Sequence, residues 1–495
     1  MLFKLPVSSM NTATNPPEPA HELPRALGYT GSTAIVIGTI IGSGIFLVPH
    51  DIALQVGSVR ALMLVWLIGG VLSLAGALSL AELGAANPSA GGIYVYLRDA
   101  YGRLFAFLYG WALLLVINSG SLATLAVAFG IYSTSFLPLS PLEQKLVASG
   151  VIALLTLVNI LGVRKASAVQ TLFTVAKLAG LATIMGAAFF SSHVAPAQTD
   201  RALPLSHATA SSFGVAMIGI LWAYEGWHML SFAAGEVKNP TRVLPRSYLV
   251  GTVVVVAVYL GANLAYLRVL PLPEMALHQR VAATAMELLA GPRGATFVSA
   301  LILCSIFGAI NGTVLGGPRA YFAMARDGVF FPSVGKVHPR YRTPAAALLI
   351  QGVWAILLAS SGTYKQLYTY VIFTGWLFYA SATFAVVVLR RKRPDLSRPY
   401  RVWGFPVVPL VFSAAALAIV GNALIRSPLE SGIGLALVLA GVPIFLIWQR
   451  RAKQKAVIPL LDKEGSGVVD RGVITPTASS CEGGESSGNK RERGD

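Results

Sequence analysis

Apolar runs of about 20 residues, parted by short polar stretches, recur along the chain from Tyr29 to Trp448. As a helix, each is long enough to cross a hydrocarbon core of about 30 Å. Twelve such segments are predicted, at 29–56, 60–84, 103–136, 144–163, 166–190, 210–234, 246–270, 295–324, 344–360, 364–390, 403–425 and 431–449. The pattern predicts an all-α, polytopic membrane protein, with a twelve-helix unit over 28–450 between tails at 1–27 and 451–495. An even count puts both termini on one side. One set of loops carries Arg98/Arg103, Arg164/Lys165, Lys238/Arg242/Arg246, Lys336/Arg340/Arg342 and the run Arg390 to Arg393, whereas the alternate loops hold only one or two each, such as Lys145, Arg201 and Lys365. Basic loops stay in the cytoplasm, so both tails are expected there.

Two spans carry residues that break a helix. The first contains GTIIGSGIFLVP from Gly38 to Pro49, with Gly42-Ser43-Gly44 at its centre. The sixth reads GILWAYEGWHML, with Tyr224-Glu225-Gly226 in the middle. A broken backbone in lipid needs partners for its amides and carbonyls. Amides after a break attract an anion and carbonyls before it attract a cation, so an amino acid's carboxylate and ammonium suit the gap. Corresponding breaks in two halves of a chain point to a midplane binding site. Gly38-x-x-x-Gly42 also reads as a helix-packing face, but that gives no reason for Glu225.

Charges inside spans are costly and tend to line solute or ion routes. Lys177 has apolar residues for about ten positions on either side. It reads either as a carbonyl-capped or ion-paired tie between helices, or as a fixed cation where a transported ion would otherwise bind. Glu225 has three readings: a counter-ion for Lys177, a contact for a cationic substrate, or a carboxylate kept neutral by burial. His228 reads as a hydrogen-bonded packing residue. Asn118, Ser119, Ser121 and Thr124 in the third span read mainly as cross-helix bonding, with a cavity wall as the alternative. Gly308, Gly312 and Gly316 suit close helix packing. Trp222, Tyr224, Trp227, Phe373 and Trp376 could pack or close over a ligand.

Composition fits this picture. Of 495 residues, 12% are charged and 55% hydrophobic, with a mean hydropathy of +0.67. A soluble protein averages about 25% charged. The net charge of +17 sits in loops, so it reads as topology and not as a nucleic-acid surface. Two cysteines, Cys304 and Cys481, give no disulfide framework. Residues 1–27 lack the form of a signal peptide, and the Ser-, Gly- and charge-rich end to Asp495 is expected to be disordered. The tail's basic start should hold to an anionic leaflet. There is no HExxH, no GxSxG hydrolase elbow (the match at Gly484 to Gly488 lies in the polar tail) and no metal-spaced His/Cys cluster, so no enzyme, metal or cofactor is expected.

The stretches GTIIGSGIF at 38–46, AELGAANPSAGGIYVY at 81–96 and LWAYEGWHMLSFAAGEVKNPTRVLPRS at 221–247 carry a family resemblance. FGAINGTVLGGPRAYFAMARDG at 307–328 and RPDLSRPYRVWGFPVVP at 393–409 extend it. The chain resembles the L-type amino acid transporter group of the amino acid–polyamine–organocation superfamily over residues 28–450. The resemblance implies a LeuT-type fold: two inverted five-helix repeats, two extra helices and alternating access. Carried over by position, Gly42, Ser43 and Gly44 form the first break, with Ser43 and Gly44 donating amides to a substrate carboxylate. Carbonyls of Ile40, Trp222 and Glu225 would accept from its ammonium, with Ala223 and Gly226 lining the second break. Lys177 matches the lysine that replaces a sodium ion, which implies sodium-independent exchange.

Relatives with a glycoprotein subunit use a cysteine between spans three and four. Residues 136–145 have none, so no disulfide-linked partner is expected. The resemblance leaves neutral and cationic substrates open. The expected function is exchange of α-amino acids across the cell membrane. A proton-coupled symporter is the alternative within that class, and a non-transporting amino acid sensor the alternative outside it.

Overall fold

The computed structural model describes residues 23–192, 210–362, 364–426 and 428–450. Most of the N-terminal tail, Arg201, Cys481 and the C-terminal tail lie outside these described residues.

The first half opens with α1 (Tyr29–Ile40) and α2 (Gly44–Val56), which together make one interrupted span. It continues through α3 (Val59–Ala86) and the short connector α4 (Ile93–Tyr101). The third span is α5 (Arg103–Ala112) and α6 (Asn118–Ser133), joined through a π-bulge over Leu113–Ile117. Next come α7 (Pro141–Ile160) and α8 (Val163–Phe190). The second half runs through α9 (Ala210–Ala223), α10 (Met229–Phe232), α11 (Pro240–Val269), α12 (Leu272–Met275) and α13 (Val281–Gly316). It ends with α14 (Pro318–Arg326), α15 (Ala345–Ser361) and α16 (Tyr364–Lys392), followed by α17 (Val407–Arg426) and α18 (Pro428–Leu439).

Among the described residues ten helical segments are long and apolar enough to cross a membrane, and Ser212–Ala223 and Ala345–Ser361 are shorter apolar helices. The apolar runs therefore correspond to helices along the described chain. The eighth span differs most: helix begins at Val281 rather than 295 and kinks at Gly291, where φ is 65°. Gly291-Pro292 reads as a terminus in sequence, because proline removes a backbone donor.

The helix pairings carry an internal symmetry. If α1/α2 is matched with α9/α10, α3 with α11, α6 with α13, α7 with α15 and α8 with α16, the neighbours map onto one another. α1 packs on α11 as α9 packs on α3, and α8 on α13 as α16 on α6. α6 lies on α7 as α13 lies on α15, while α3–α11 and α7–α15 pair with themselves. Five spans per half invert the second half relative to the first. This is the 5+5 arrangement of the LeuT fold, with α17 and the Ser431–Arg450 helix added.

Polarity is distributed for a lipid solvent. Leu64, Val71, Leu154, Leu172, Val353 and Val411 are exposed on the outside, while the amides are inside. Asn159 Nδ2 donates to Asn311 Oδ1 (3.0 Å), and Asn311 Nδ2 to Gln170 Oε1 (2.9 Å), which joins α7, α13 and α8. Asn118 Nδ2 donates to Gln351 Oε1 at 2.7 Å and to Thr313 O at 3.2 Å. Cross-helix bonding is thus the role of Asn118, whereas Thr124 bonds Gly120 O within its own helix. The small residues of α13 let neighbours close in: a Cβ at Gly308 would meet Phe173 and Lys177, at Gly312 Thr39 and Gln170, and at Gly316 Met229.

Beyond α10 the chain is held by a buried pair. Arg319 Nε and Nη2 donate to Glu236 Oε1 (2.7 Å) and Oε2 (3.2 Å), and Arg319 also bonds Leu315 O. Glu236 O accepts from Leu27 N at 2.9 Å, and Lys238 N donates to Leu27 O at 2.8 Å, which clamps the start of the described chain to this turn. Removing one partner of a desolvated pair leaves a buried charge. Glu236→Ala should therefore destabilise the protein by about 3–5 kcal/mol. Thermal unfolding in detergent measures this, and a loss under about 0.5 kcal/mol, typical of surface changes, would mean the pair is not desolvated.

Candidate functional site

The first break is a change of course over three residues. Ile41 N donates to Ile37 O and ends α1, with Ile41 itself extended (φ −74°, ψ 93°). Ser43 then caps α2, its carbonyl accepting from Phe46 N at 3.1 Å and Leu47 N at 3.2 Å. The first amides of a helix, here beginning at Gly44, have no carbonyl behind them. At the second break α9 ends at Ala223, Tyr224 N bonds Ile220 O, and Glu225 N bonds Trp222 O at 3.1 Å. Gly226 has φ 111°, a conformation open to glycine and strained for other residues.

The two breaks touch. A Cβ on Gly226 would lie 2.8 Å from the carbonyl of Thr39, and one on Gly44 would lie 2.7 Å from Ala223 Cβ. Glycine at these positions is what lets backbone approach backbone. Thr39 Oγ1 also reaches Gly226 O at 3.1 Å.

The carbonyl side of the first break is already filled, by protein. Lys177, fully buried on α8, donates from Nζ to Gly38 O (2.9 Å), Ile41 O (2.5 Å) and Ser305 O (2.8 Å). Three acceptors and three donors saturate an ammonium. Ser305 Oγ lies within bonding distance of Ile41 O (3.1 Å) and Gly42 O (2.9 Å). Tyr259 Oη on α11 lies 3.1 Å from Ile40 O and 2.9 Å from Ala223 O, so one hydroxyl spans both breaks. Lys177 is therefore carbonyl-capped, and Glu225 is not its counter-ion. Glu225 Oε1 accepts from Tyr379 Oη at 2.7 Å, with His228 Nδ1 3.7 Å away.

Between the breaks lies a small pocket of about 30 Å³. That is well below the about 300–1,000 Å³ of an open small-ligand site, so the breaks stand nearly closed on each other. Ile40, Gly42, Ser43, Gly44, Trp222, Glu225 and Gly226 line it, so seven of the residues singled out in the sequence come together. Ala223 is not in the wall; it is buried behind Gly44. Lys177 is also outside the wall, beyond the carbonyls it caps. Gly38 packs against Gln170 and Thr174 of α8, so the small-residue pattern splits, with Gly38 for packing and Gly42 for the pocket.

Thr39, Ser121, Leu125, Met229 and Thr313 complete the wall. Of these, only Ser121 stood out in sequence, and there as a packing residue. Among the aromatics only Trp222 lines the pocket, stacked on Tyr368 with centroids 5.8 Å apart. The others pack in the core: Tyr224 against Trp66 and Tyr259, Trp227 and Trp376 against Tyr379 and Phe412, and Phe373 against Gly434. Each has neighbours enough without a ligand.

Glu225 has one oxygen committed and one open. Tyr379 Oη donates to Glu225 Oε1 and lies 3.1 Å from His228 Nε2. His228 is thus a buried, hydrogen-bonded packing residue. Glu225 Oε2 is buried with no hydrogen-bond partner among the described residues. An acceptor of this kind in a pocket wall calls for a donor from whatever enters. No group of three or more His, Cys, Asp or Glu side chains that could hold a metal occurs among the described residues.

Comparison with known proteins bears on the same span of chain. The family model described as amino acid permease matches residues 27–443. The serine/threonine exchanger SteT of Bacillus subtilis (strain 168) is 32% identical over 434 residues, which is 87% of this chain and 98% of SteT. The human large neutral amino acids transporter small subunit 2 is 33% identical over 453 residues, covering 87% of this chain and 82% of that protein. The human cystine/glutamate transporter is 30% identical over 453 residues, 90% of each. A family match along most of the chain, and relatives aligned over most of their own length, agree with the twelve helices and the paired breaks: this chain belongs to the amino acid permease family.

Proposed function

We propose that the protein exchanges α-amino acids across the cell membrane without sodium, by alternating access, as a single chain with both termini in the cytoplasm. One observation carries this reading: two interrupted helices meet at a pocket, and the protein's own ammonium caps carbonyls of the first break from outside its wall. A substrate carboxylate takes the amides of Ser43 and Gly44 at the start of α2, where the helix dipole is positive. Its ammonium takes carbonyl positions at Ile40, Trp222 and Glu225. The first two already accept one bond each, from Tyr259 and from Glu225 N, and each carbonyl has a second lone pair. Lys177 does the work of a coupling cation and cannot leave, which favours exchange over ion-driven uptake. The basic loops support the orientation. The absence of cysteine from 136–145 supports function without a disulfide-linked subunit.

The relatives are named for different side chains, so their names do not fix the cargo here. Glu225 Oε2 favours a side chain that brings a hydrogen-bond donor, cationic residues above all.

Proteoliposomes test the scheme. Uptake of labelled amino acid should require unlabelled amino acid inside and be indifferent to sodium and to a pH gradient. Uptake into empty vesicles driven by a pH gradient would make it a symporter, and saturable binding without flux would make it a sensor. Lys177→Ala should slow exchange by at least tenfold, on the order of one charge-assisted hydrogen bond of about 1.5–3 kcal/mol, with the protein still in the membrane. Full activity would remove the fixed-cation role. Glu225→Gln should reduce cationic uptake much more than neutral uptake; equal losses would point to the Tyr379 bond as a purely structural element.

A further inference from the structure

A second cavity lies apart from the exchange pocket, where α16 ends in Arg390-Arg391-Lys392 and the chain returns into α17. It is a groove of about 550 Å³. Its apolar walls are Phe384, Val387, Phe405 and Leu410. Phe384 and Leu410 are 38% and 41% exposed, so the groove opens sideways on the surface that faces lipid. Trp403, at 61% exposed, lies on the connecting turn, a position typical of the membrane interface.

The upper end of this groove is charged, and the charge is not balanced. Glu82 is saturated: Arg390 donates to its two oxygens at 2.8 and 2.7 Å, Val402 N donates at 2.7 Å, and Arg398 stands 3.7 Å away. Arg390 is also fixed over the Phe405 ring, 3.7 Å from its centroid. Arg391 lines the groove beside it, exposed, with no hydrogen bond or ion pair among the described residues. No acidic residue lines the groove. Two arginines around one glutamate, with a third arginine in excess, leave a positive head on an apolar slot.

We propose that this groove is a binding site for an anionic phospholipid, with its phosphodiester on Arg391 and an acyl chain along Phe384, Val387 and Leu410. A free inorganic anion would satisfy the arginine but leave the apolar slot empty. A neutral lipid would fill the slot and leave the charge unmatched. The occupant that answers both is an amphiphile with a negative head, which a basic pocket between membrane helices is suited to take. The site is independent of which solute crosses.

Native mass spectrometry of the purified full chain tests this, after equilibration with equal phosphatidylglycerol and phosphatidylcholine in detergent. The wild type should retain phosphatidylglycerol selectively. Arg391→Glu should cut that retention about tenfold, as expected for reversing one surface charge beside an anionic head group. Leu410→Trp, which fills the slot and leaves the charge, should do the same. Lys165→Glu, an exposed charge reversal in the first turn of α8, should retain lipid as the wild type does. Unchanged retention in Arg391→Glu or Leu410→Trp, or an equal loss in Lys165→Glu, would overturn the site. Displacement of the lipid by millimolar inorganic phosphate alone would reduce it to an ion site and overturn it as well.

Discussion

A peptide group without a hydrogen-bond partner in a membrane costs several kcal/mol, and this chain opens two clusters of them at mid-span. The fold can afford this because side chains from other helices close most of the gap. Lys177 from α8 and Ser305 from α13 hold the carbonyls of Gly38, Ile41 and Gly42, and Tyr259 from α11 holds those of Ile40 and Ala223. What is left open is small and sits between the breaks. The glycines serve the same end, since Gly44 and Gly226 let the two breaks approach to backbone contact.

The inverted halves explain why two breaks meet at all. A single interrupted helix would present amides and carbonyls along one axis. Two of them, matched by the exchange of α1/α2 with α9/α10, bring helix ends of opposite direction to one place. The amide network of Asn159, Asn311 and Gln170 lies in α7, α13 and α8, around the interrupted pair. Helices that must stay in register are thus fixed by directional bonds, because apolar packing alone distinguishes poorly between helix and lipid.

The helices were almost all legible in the sequence, because a helix that crosses lipid writes itself as an apolar run, whereas the 5+5 arrangement was implied by the family resemblance. The exception, the helix before the Gly291 kink, was hidden by Gly-Pro, which normally signals an end. The breaks were legible from Gly42-Ser43-Gly44 and Tyr224-Glu225-Gly226 for the same reason in reverse. The surroundings were less so. Tyr259 and Ser305 are single hydroxyls in apolar spans, and nothing in their neighbours says that they face a break. Met229, Leu125 and Thr313 belong to the wall only because of helix rotation, which an apolar run does not encode. The aromatics near the second break erred the other way: tryptophan and tyrosine fill core as readily as they gate, and here four of the five fill core.

Tyr259 has one hydroxyl hydrogen and two carbonyl oxygens within reach, one from each half of the molecule. It can complete either partner fully but not both at once, so the proton is shared property at the seam. Sliding α1 away from α9 therefore does not strand a donor; the hydrogen simply follows one helix and releases the other. The same seam is also held by Thr39 Oγ1 on Gly226 O and by the close approaches at Gly44 and Gly226, so the tyrosine adds to those contacts one bond that either half can keep.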